Sequence, residues 1–319
     1  MMPLVCHSLY LRTPELLLSR TARKVQGGAT GPMEDDYKFE GSVPDYYDTL
    51  FGSQLFEPYA KDLLSHLPDT SRISSVLELG CGTGRCTREI LTHIGGDLKL
   101  TATDISQEML DFAKKAVENT LVTTNATIKW QIVDECDLPY EDNSYDLVVC
   151  QFGYMFGTDK EKAISESVRV LRPGGLLLFN VWDDIEKNPL CYIADKVLKE
   201  THPDDHDEFF QLPYSMHDRK VVKGILSRVG LINTLVMDES IVCYWNSPME
   251  AASAIIDGSP ISLILRDRGE DEQPILQALS AAYQAQGQNA ERQFISASDD
   301  ISRVGFTMNA IIFISYKPI

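Results

Sequence analysis

The residues that could do chemistry lie first in one glycine-rich stretch of the chain. It reads Val76-Leu-Glu-Leu-Gly-Cys-Gly-Thr-Gly-Arg85, a short apolar strand that runs into Gly80, Gly82 and Gly84. Glycines at such a point permit a tight turn and leave no Cβ between the backbone and a ligand, and the helix expected beyond them supplies free N–H groups. A loop of this kind holds a nucleotide-like ligand at the carboxyl ends of parallel strands.

The spacing of the glycines selects among such ligands. A dinucleotide site favours G-x-G-x-x-G, but Arg85 stands at the sixth position, and no Gly-Lys-Ser/Thr follows as a phosphate-binding loop requires. Glu78 lies at the strand end, where a carboxylate disfavours phosphate and favours a cationic sulfonium or ammonium ligand. An NAD-dependent oxidoreductase is therefore the disfavoured alternative.

Two further acids follow the next two predicted strands. Asp104 comes about 20 residues after the glycines, where a carboxylate can accept from ribose hydroxyls and Ile105 can lie against an adenine face. Asp134 follows the third strand, where it can accept from an adenine amino group. Each acid alone is equally explained as a helix cap or turn residue. The three strand ends in this order instead indicate an adenosine site.

These residues must be positioned by alternating strands and helices. The pattern predicts strands at 75–80, 98–103, 128–133, 145–150, 176–181, 231–245 and 306–316, with helices between them. Such alternation predicts an α/β fold, a doubly wound, Rossmann-like, seven-stranded and mostly parallel sheet with helices on both faces. An aromatic-rich N-terminal segment is expected as a lid, and residues 247–303 as a helical insertion that caps the substrate site between the last two strands.

The sequence resembles the class I S-adenosylmethionine-dependent methyltransferases over residues 40–182. The resemblance rests on the glycine stretch, Asp104, Asp134 through Pro139, the run Asp142-Asn-Ser-Tyr-Asp-Leu-Val-Val-Cys-Gln-Phe-Gly153 and Glu166-Ser-Val-Arg-Val-Leu-Arg-Pro-Gly-Gly175. The last motif is similar to the branch that contains small-molecule and quinone-biosynthesis enzymes. The resemblance implies S-adenosyl-L-methionine as the cofactor. The residues it places against that cofactor are Glu78, Gly80, Cys81, Gly82, Gly84, Asp104, Ile105, Met109, Asp134, Glu135, Gln151 and Phe152.

The implied activity is methyl transfer to O, N or C of a small-molecule acceptor by in-line displacement, with release of S-adenosylhomocysteine. Tyr46, Tyr154 and Trp182 are expected to contact the acceptor. The sequence assigns neither a catalytic base nor an oligomeric state. A non-catalytic S-adenosylmethionine-binding regulator and a protein methyltransferase are the alternatives.

The net charge and the cysteine content limit the classes of partner and metal site that the chain is expected to have. The chain of 319 residues has 29 Lys and Arg against 47 Asp and Glu, a net charge of −18, which repels nucleic acid and anionic membranes. We therefore expect no nucleic-acid partner and, because no apolar run is long enough, no membrane insertion. Seven scattered cysteines without a CxxC pair predict free thiols. A metal site at His202, His206 and His217 is possible, but a solvated loop is favoured, so no metal is expected.

The first 33 residues differ from the rest of the chain. They contain Arg12, Arg20, Arg23 and Lys24 against one acid, Glu15. Such a basic leader is typical of a mitochondrial transit peptide, whereas a flexible extension of a cytoplasmic protein is the favoured explanation. The predicted organisation is thus a leader at 1–33 and a methyltransferase domain at 34–319.

Overall fold

The computed structural model describes residues 43–118, 125–201, 210–289 and 303–319, all within one compact unit that spans Glu34–Ile319. The leader at 1–33 and the candidate ligands His202 and His206 lie outside the described residues. The strands are β1 (Ser75–Glu78), β2 (Lys99–Asp104), β3 (Thr127–Ile132), β4 (Tyr145–Gln151), β5 (Leu171–Trp182), β6 (Ile232–Trp245) and β7 (Val304–Tyr316).

Helices separate most of these strands. They are α1 (Val43–Tyr47), α2 (Glu57–Ser65), α3 (Arg85–Ile94), α4 (Gln107–Glu118), α5 (Lys160–Val170), α6 (Pro189–Thr201), α7 (Arg219–Arg228), α8 (Pro248–Ile256), α9 (Ile261–Asp267) and α10 (Gln273–Asn289). A π-helical segment, Asp48–Phe56, joins α1 to α2. Within the described ranges, no helix combines the length and the apolar character that a membrane span needs.

The seven strands form one sheet in the order β3-β2-β1-β4-β5-β7-β6. The first five strands are parallel, and β7 runs antiparallel between β5 and β6. The Rossmann-like, mostly parallel sheet predicted from the sequence is therefore confirmed. The strand order reverses at β1 and β4, and in such sheets the ligand crevice lies outside the carboxyl ends of the strands at that point.

Helices cover both faces of the sheet, which explains why its central strands are apolar throughout. On one face, Val76, Val149 and Leu178 pack against the buried side of α2 and α3. On the other face, Leu77 and Phe179 pack in a larger cluster with residues of α5, α6 and α7. This double burial fixes the strand ends, and thus the site at their carboxyl edge, in a rigid frame.

The start of β5 differs from the prediction. The strand begins at Leu171, which pairs with Tyr145, rather than at Leu176. Gly174 and Gly175 hydrogen-bond with the backbone of Lys317 just after β7, so the chain remains in the sheet through a segment expected to be a loop.

The N-terminal segment is joined to the glycine loop by one arginine. Arg85, the first residue of α3, donates from Nε to Asp48 Oδ1 at 2.7 Å and from Nη2 to Asp48 Oδ2 at 2.6 Å. Its Nη1 donates to Glu57 Oε2 at 2.9 Å. A Cβ on Gly52 would lie 2.6 Å from Arg85 Nε, so only glycine leaves room for the guanidinium. The side chain is 17% exposed, which makes this bidentate ion pair stronger than a solvated one.

The first prediction concerns this ion pair. Arg85→Ala leaves Asp48 and Glu57 as neighbouring acids without their shared cation, at a cost of about 1–3 kcal/mol to local stability. We expect amide hydrogen exchange across Asp48–Phe56 to accelerate about tenfold or more. Arg72→Ala is the matched control, because Arg72 is 91% exposed and lies 3.9 Å from Asp69. Equal exchange in the two variants would show that Arg85 does not hold the segment.

Candidate functional site

The glycine loop is fastened to the end of β2 by backbone hydrogen bonds. Gly82 N–H donates to Asp104 Oδ2 at 2.8 Å, and Cys81 N–H donates to the carbonyl of Thr103 at 2.8 Å. Ser106 N–H donates to the other oxygen, Asp104 Oδ1, at 2.9 Å. Asp104 thus organises both the glycine loop and the start of α4.

The glycines of the loop have different roles. Gly80, Gly82 and Gly84 all adopt positive φ, at 63°, 53° and 83°, where side chains are strained. A Cβ on Gly84 would lie 3.1 Å from Ala113 and Val117 of α4, so this glycine permits close helix packing. A Cβ on Gly82 would meet no described atom within 4 Å. Gly82 therefore leaves open space beside the Asp104 carboxylate, as a ligand requires.

Glu78 is a buried carboxylate with one oxygen available. It is 1% exposed, and Thr87 Oγ1 of α3 donates to its Oε2 at 2.7 Å. Within the part of the chain that the structure describes, Oε1 has no hydrogen-bond partner. Burial raises the pKa of Glu78 to about 7, and burial likewise raises the pKa of Asp104. Buried acceptors of this kind favour a cationic donor group.

The remaining predicted adenosine contacts line the same edge. Ile105 is 69% exposed, whereas Met109 is buried in the first turn of α4. Asp134 accepts Cys136 N–H at Oδ1, at 2.8 Å, which leaves Oδ2 for a ligand. Glu135 is half-buried against Gly157, and burial raises the pKa of this carboxyl. The structure thus brings the candidates from the first three strands to one edge.

Gln151 and Phe152 lie at the carboxyl end of β4, on the same edge of the sheet as the acids. Gln151 Nε2 donates to the carbonyl of Phe56 at 2.8 Å, which connects β4 to the N-terminal segment. Phe152 adopts a φ of 50°, and its N–H is accepted by Asn180 Oδ1 at 3.0 Å. Its ring stacks on Trp182 at 3.8 Å between centroids and meets the edges of Phe56 and Tyr59. The result is an aromatic wall beside the strand ends.

The three residues expected at the acceptor have different surroundings. Trp182 belongs to the aromatic wall. Tyr154 does not, because its buried hydroxyl lies 2.6 Å from Ser167 Oγ and its ring packs on Phe179 in the core. We therefore leave Tyr154 out of the acceptor surface. Tyr46 is 44% exposed on α1, and its neighbour Tyr47 instead stacks on Phe56 at 4.7 Å.

The helical insertion touches the N-terminal segment. Trp245 Nε1 donates to the carbonyl of Leu50 at 2.8 Å, and its ring meets the edge of Phe51. A Cβ on Gly258, which follows α8, would lie 3.1 Å from the Phe51 ring. These contacts join α8 and β6 to the Asp48–Phe56 segment.

The candidate metal ligand His217 has a backbone partner. Its Nδ1 lies 2.8 Å from the carbonyl oxygen of Tyr214. Among the residues described, no group of three or more His, Cys, Asp and Glu side chains is arranged to hold a metal ion.

Sequence reasoning missed three contributors to the site. Arg85 counted only as a departure from the dinucleotide pattern, although it joins the loop to the N-terminal segment. Thr87, two residues after Arg85 in α3, donates a hydrogen bond to the Glu78 carboxylate. Asn180 supports Phe152. The available signal for Asn180 was one amide within the apolar strand Leu176-Leu-Leu-Phe-Asn-Val-Trp182.

Comparisons with known proteins agree with this geometry. Residues 76–175 match a family model described as a methyltransferase domain. The chain is 31% identical over 173 residues to the ubiquinone/menaquinone biosynthesis C-methyltransferase UbiE of Klebsiella pneumoniae, covering 51% of this chain and 68% of that protein. It is 38% identical over 101 residues to the mitochondrial 2-methoxy-6-polyprenyl-1,4-benzoquinol methylase of Caenorhabditis elegans, covering 32% of this chain and 35% of that protein.

Solved structures share the fold. The phosphoethanolamine N-methyltransferase 2 of Haemonchus contortus, in complex with S-adenosyl-L-methionine, superimposes with a TM-score of 0.56 at 18% identity, over 92% of this chain and 61% of that one. The YcgJ protein of Bacillus subtilis gives a TM-score of 0.52 at 15% identity, over 82% of this chain and 99% of that one. By its sequence relatives and its fold, the chain belongs to the class I S-adenosylmethionine-dependent methyltransferases.

Proposed function

We propose that this chain transfers the methyl group of S-adenosylmethionine to a carbon atom of a small-molecule acceptor. The observation that carries the proposal is the open space at Gly82, whose N–H donates to the Asp104 carboxylate, in a loop that follows Glu78 and its unpartnered Oε1 in the described structure. Carbon is favoured over nitrogen and oxygen because the curated relatives are described as C-methyltransferases and benzoquinol methylases.

The chain's residues fit S-adenosylmethionine at this edge. A carboxylate has about four lone-pair sites, and Asp104 uses two of them for Gly82 and Ser106, so ribose hydroxyls can take the others. Glu78 Oε1 supplies a buried acceptor for the ammonium group. Exposed Ile105 and the free oxygen of Asp134 suit the adenine ring and its amino group.

When bound, S-adenosylmethionine would supply the methyl group and leave as S-adenosylhomocysteine, while the proton displaced from the acceptor carbon would pass to solvent. The protein's contribution is alignment and exclusion of water, which together are worth several kcal/mol of the barrier. Phe152 and Trp182 give the acceptor a flat apolar wall. We expect the Asp48–Phe56 segment, which Arg85 holds, to act as the lid that keeps water from the loop.

Matched glycine variants test the site. Gly82 and Gly230 both have positive φ, at 53° and 86°, and both face open space. We expect Gly82→Ala and Gly230→Ala each to lower the free energy of unfolding by about 1 kcal/mol, because each strains a left-handed residue. In calorimetric titrations, Gly82→Ala alone should lose S-adenosylmethionine binding. Equal binding by both variants would place the ligand elsewhere.

The pH dependence of binding tests Glu78. Its pKa is raised to about 7, so the carboxyl is increasingly neutral below that pH and attracts the ammonium group less. Affinity for S-adenosylmethionine should therefore fall as the pH falls, by up to about 30-fold at about pH 5.5 relative to the plateau at higher pH. Glu78→Gln should weaken binding and flatten this profile. A steep profile that persists in Glu78→Gln would assign the titration to another group.

The acceptor class is tested by turnover. We expect release of S-adenosylhomocysteine with 2-methoxybenzene-1,4-diol, the ring of the acceptor in the relative's name without its polyprenyl chain. Phosphoethanolamine is the contrasting nitrogen acceptor, and its negative charge suits this acidic protein poorly. Turnover of phosphoethanolamine alone would contradict carbon methylation. Saturable S-adenosylmethionine binding with no turnover would favour the non-catalytic alternative.

For location, we propose the mitochondrion over the cytoplasm. Support comes from the basic residues of the leader at 1–33 and from the relative described as mitochondrial. Residues 1–33 fused to a fluorescent protein should direct it to mitochondria, and combined Arg12→Gln, Arg20→Gln and Arg23→Gln changes should abolish import. Diffuse fluorescence from the unmodified fusion would contradict the proposal.

A further inference from the structure

Two amide side chains stand side by side at the carboxyl ends of β4 and β5. Gln151 and Asn180 are register partners in this parallel pair, so their side chains leave the same face of the sheet. Glu78 shares that face, because it pairs with Val149, two residues before Gln151. The row of polar groups therefore continues from the cofactor residue Glu78 towards the aromatic wall.

The backbone partners of the two amides fix which atom is oxygen and which is nitrogen. Gln151 must direct Nε2 to the carbonyl of Phe56, since a carbonyl can only accept. Asn180 must direct Oδ1 to the N–H of Phe152, since an amide N–H can only donate. The donor and acceptor roles of the backbone groups therefore determine the orientation of both amides.

Each amide has one buried atom left over. Gln151 Oε1 and Asn180 Nδ2 have no hydrogen-bond partner in the described ranges, and Asn180 is 1% exposed. Asn188 makes the contrast clear. It is also buried, but its Nδ2 donates to the carbonyls of Asp183, Asp184 and Asn309, and its Oδ1 accepts Asn309 N–H. A buried amide atom without a partner is costly, so these two atoms are the ones in this part of the sheet that a bound ligand would stabilise most.

We propose that Asn180 and Gln151 recognise a hydroxyl group of the methyl acceptor, with Asn180 Nδ2 donating to its oxygen and Gln151 Oε1 accepting its proton. A hydroxyl both donates and accepts, which suits one leftover donor beside one leftover acceptor. A carboxylate or phosphate group would face Gln151 Oε1 with no proton to give it. The carboxyl group of Glu78, on the same face of the sheet, also disfavours an anion.

Asn180 also connects acceptor recognition to the shape of the site. Asn180, whose Nδ2 would contact the acceptor, also accepts a hydrogen bond from Phe152 N–H through its Oδ1. Phe152 is strained at a φ of 50°, and its ring stacks on Trp182. Asn180 is therefore a specificity-determining residue that also positions the aromatic wall. The inference rests on the proposed function, because it assigns the acceptor side of that same site.

The isosteric change Asn180→Asp separates the two roles. It retains an oxygen for Phe152 N–H and removes the donor, so we expect the KM for 2-methoxybenzene-1,4-diol to rise about tenfold to hundredfold while the KM for S-adenosylmethionine stays within about twofold. As the pH falls, protonation of the new carboxyl restores an O–H donor. The KM for the acceptor should then recover in Asn180→Asp at saturating S-adenosylmethionine and not in the wild type.

Asn188→Asp is the control for a purely structural effect. It should lower the melting temperature without selectively raising the KM for the acceptor. A second measurement follows binding through tryptophan fluorescence in the presence of S-adenosylhomocysteine. The wild type should bind 2-methoxybenzene-1,4-diol at least tenfold more tightly than its dimethyl ether, 1,2,4-trimethoxybenzene, and Asn180→Asp should lose that preference.

The outcomes distinguish this inference from the proposed function. Turnover of the diol with an unchanged acceptor KM in Asn180→Asp would overturn the hydroxyl recognition and leave methyl transfer standing. Equal affinity of the wild type for the diol and for its dimethyl ether would likewise overturn the hydroxyl recognition and leave methyl transfer standing. If the wild type binds S-adenosylmethionine but not the diol, the hydroxyl recognition and the choice of acceptor both fail. Loss of S-adenosylmethionine binding by the wild type would contradict the proposed function itself.

Discussion

The hydrogen bond from Gly82 N–H to the Asp104 carboxylate is the contact on which the site depends. It joins the loop after β1 to the end of β2, two strands whose positions are fixed by packing on both faces of the sheet. Because the bond uses a backbone donor, it survives any side-chain change in the loop that preserves its conformation. The positive φ of Gly82 keeps that N–H directed at the carboxylate and leaves the other side of the residue open.

A second constraint is the row of buried polar groups along one face of the sheet. Glu78, Gln151 and Asn180 each use part of their hydrogen-bonding capacity within the fold, and each retains one atom without a partner in the described structure. Such atoms lower stability, since each has left water without full compensation. A molecule under selection for stability alone would replace them with apolar residues. Their position at the strand ends supports the binding site proposed there.

The sequence predicted the parts of the molecule that obey local rules. Apolar strands and the glycine spacing depend on neighbours in the chain, so the alternation of strands and helices and the placement of Asp104 at the end of a strand followed from them. Contacts between segments that are distant in the chain could not be predicted from the sequence. The Arg85–Asp48 ion pair joins residues 37 positions apart, and neither local sequence contains a pattern that predicts this contact.

Side-chain direction was the other limit. Tyr46 and Tyr47 are adjacent in the chain, yet Tyr47 stacks on Phe56 whereas Tyr46 is exposed, because consecutive residues of a helix point about 100° apart. Tyr154 follows β4 as an acceptor-contacting residue would, but a short helical turn buries it against Ser167. Helix α6 begins at Pro189, directly after Asn188, but its contacts with β7 and α10 depend on segments that are distant in the chain.

The most direct test is a thermal-shift titration of the full chain with S-adenosylmethionine, S-adenosylhomocysteine and NAD in parallel. At about 100 times its dissociation constant, a ligand of the native state adds about 2.7 kcal/mol to the free energy of unfolding, which raises Tm by several degrees for a chain of this size. The account predicts saturable shifts with both sulfur ligands and none with NAD. A shift with NAD alone, or with none of the three, would contradict it.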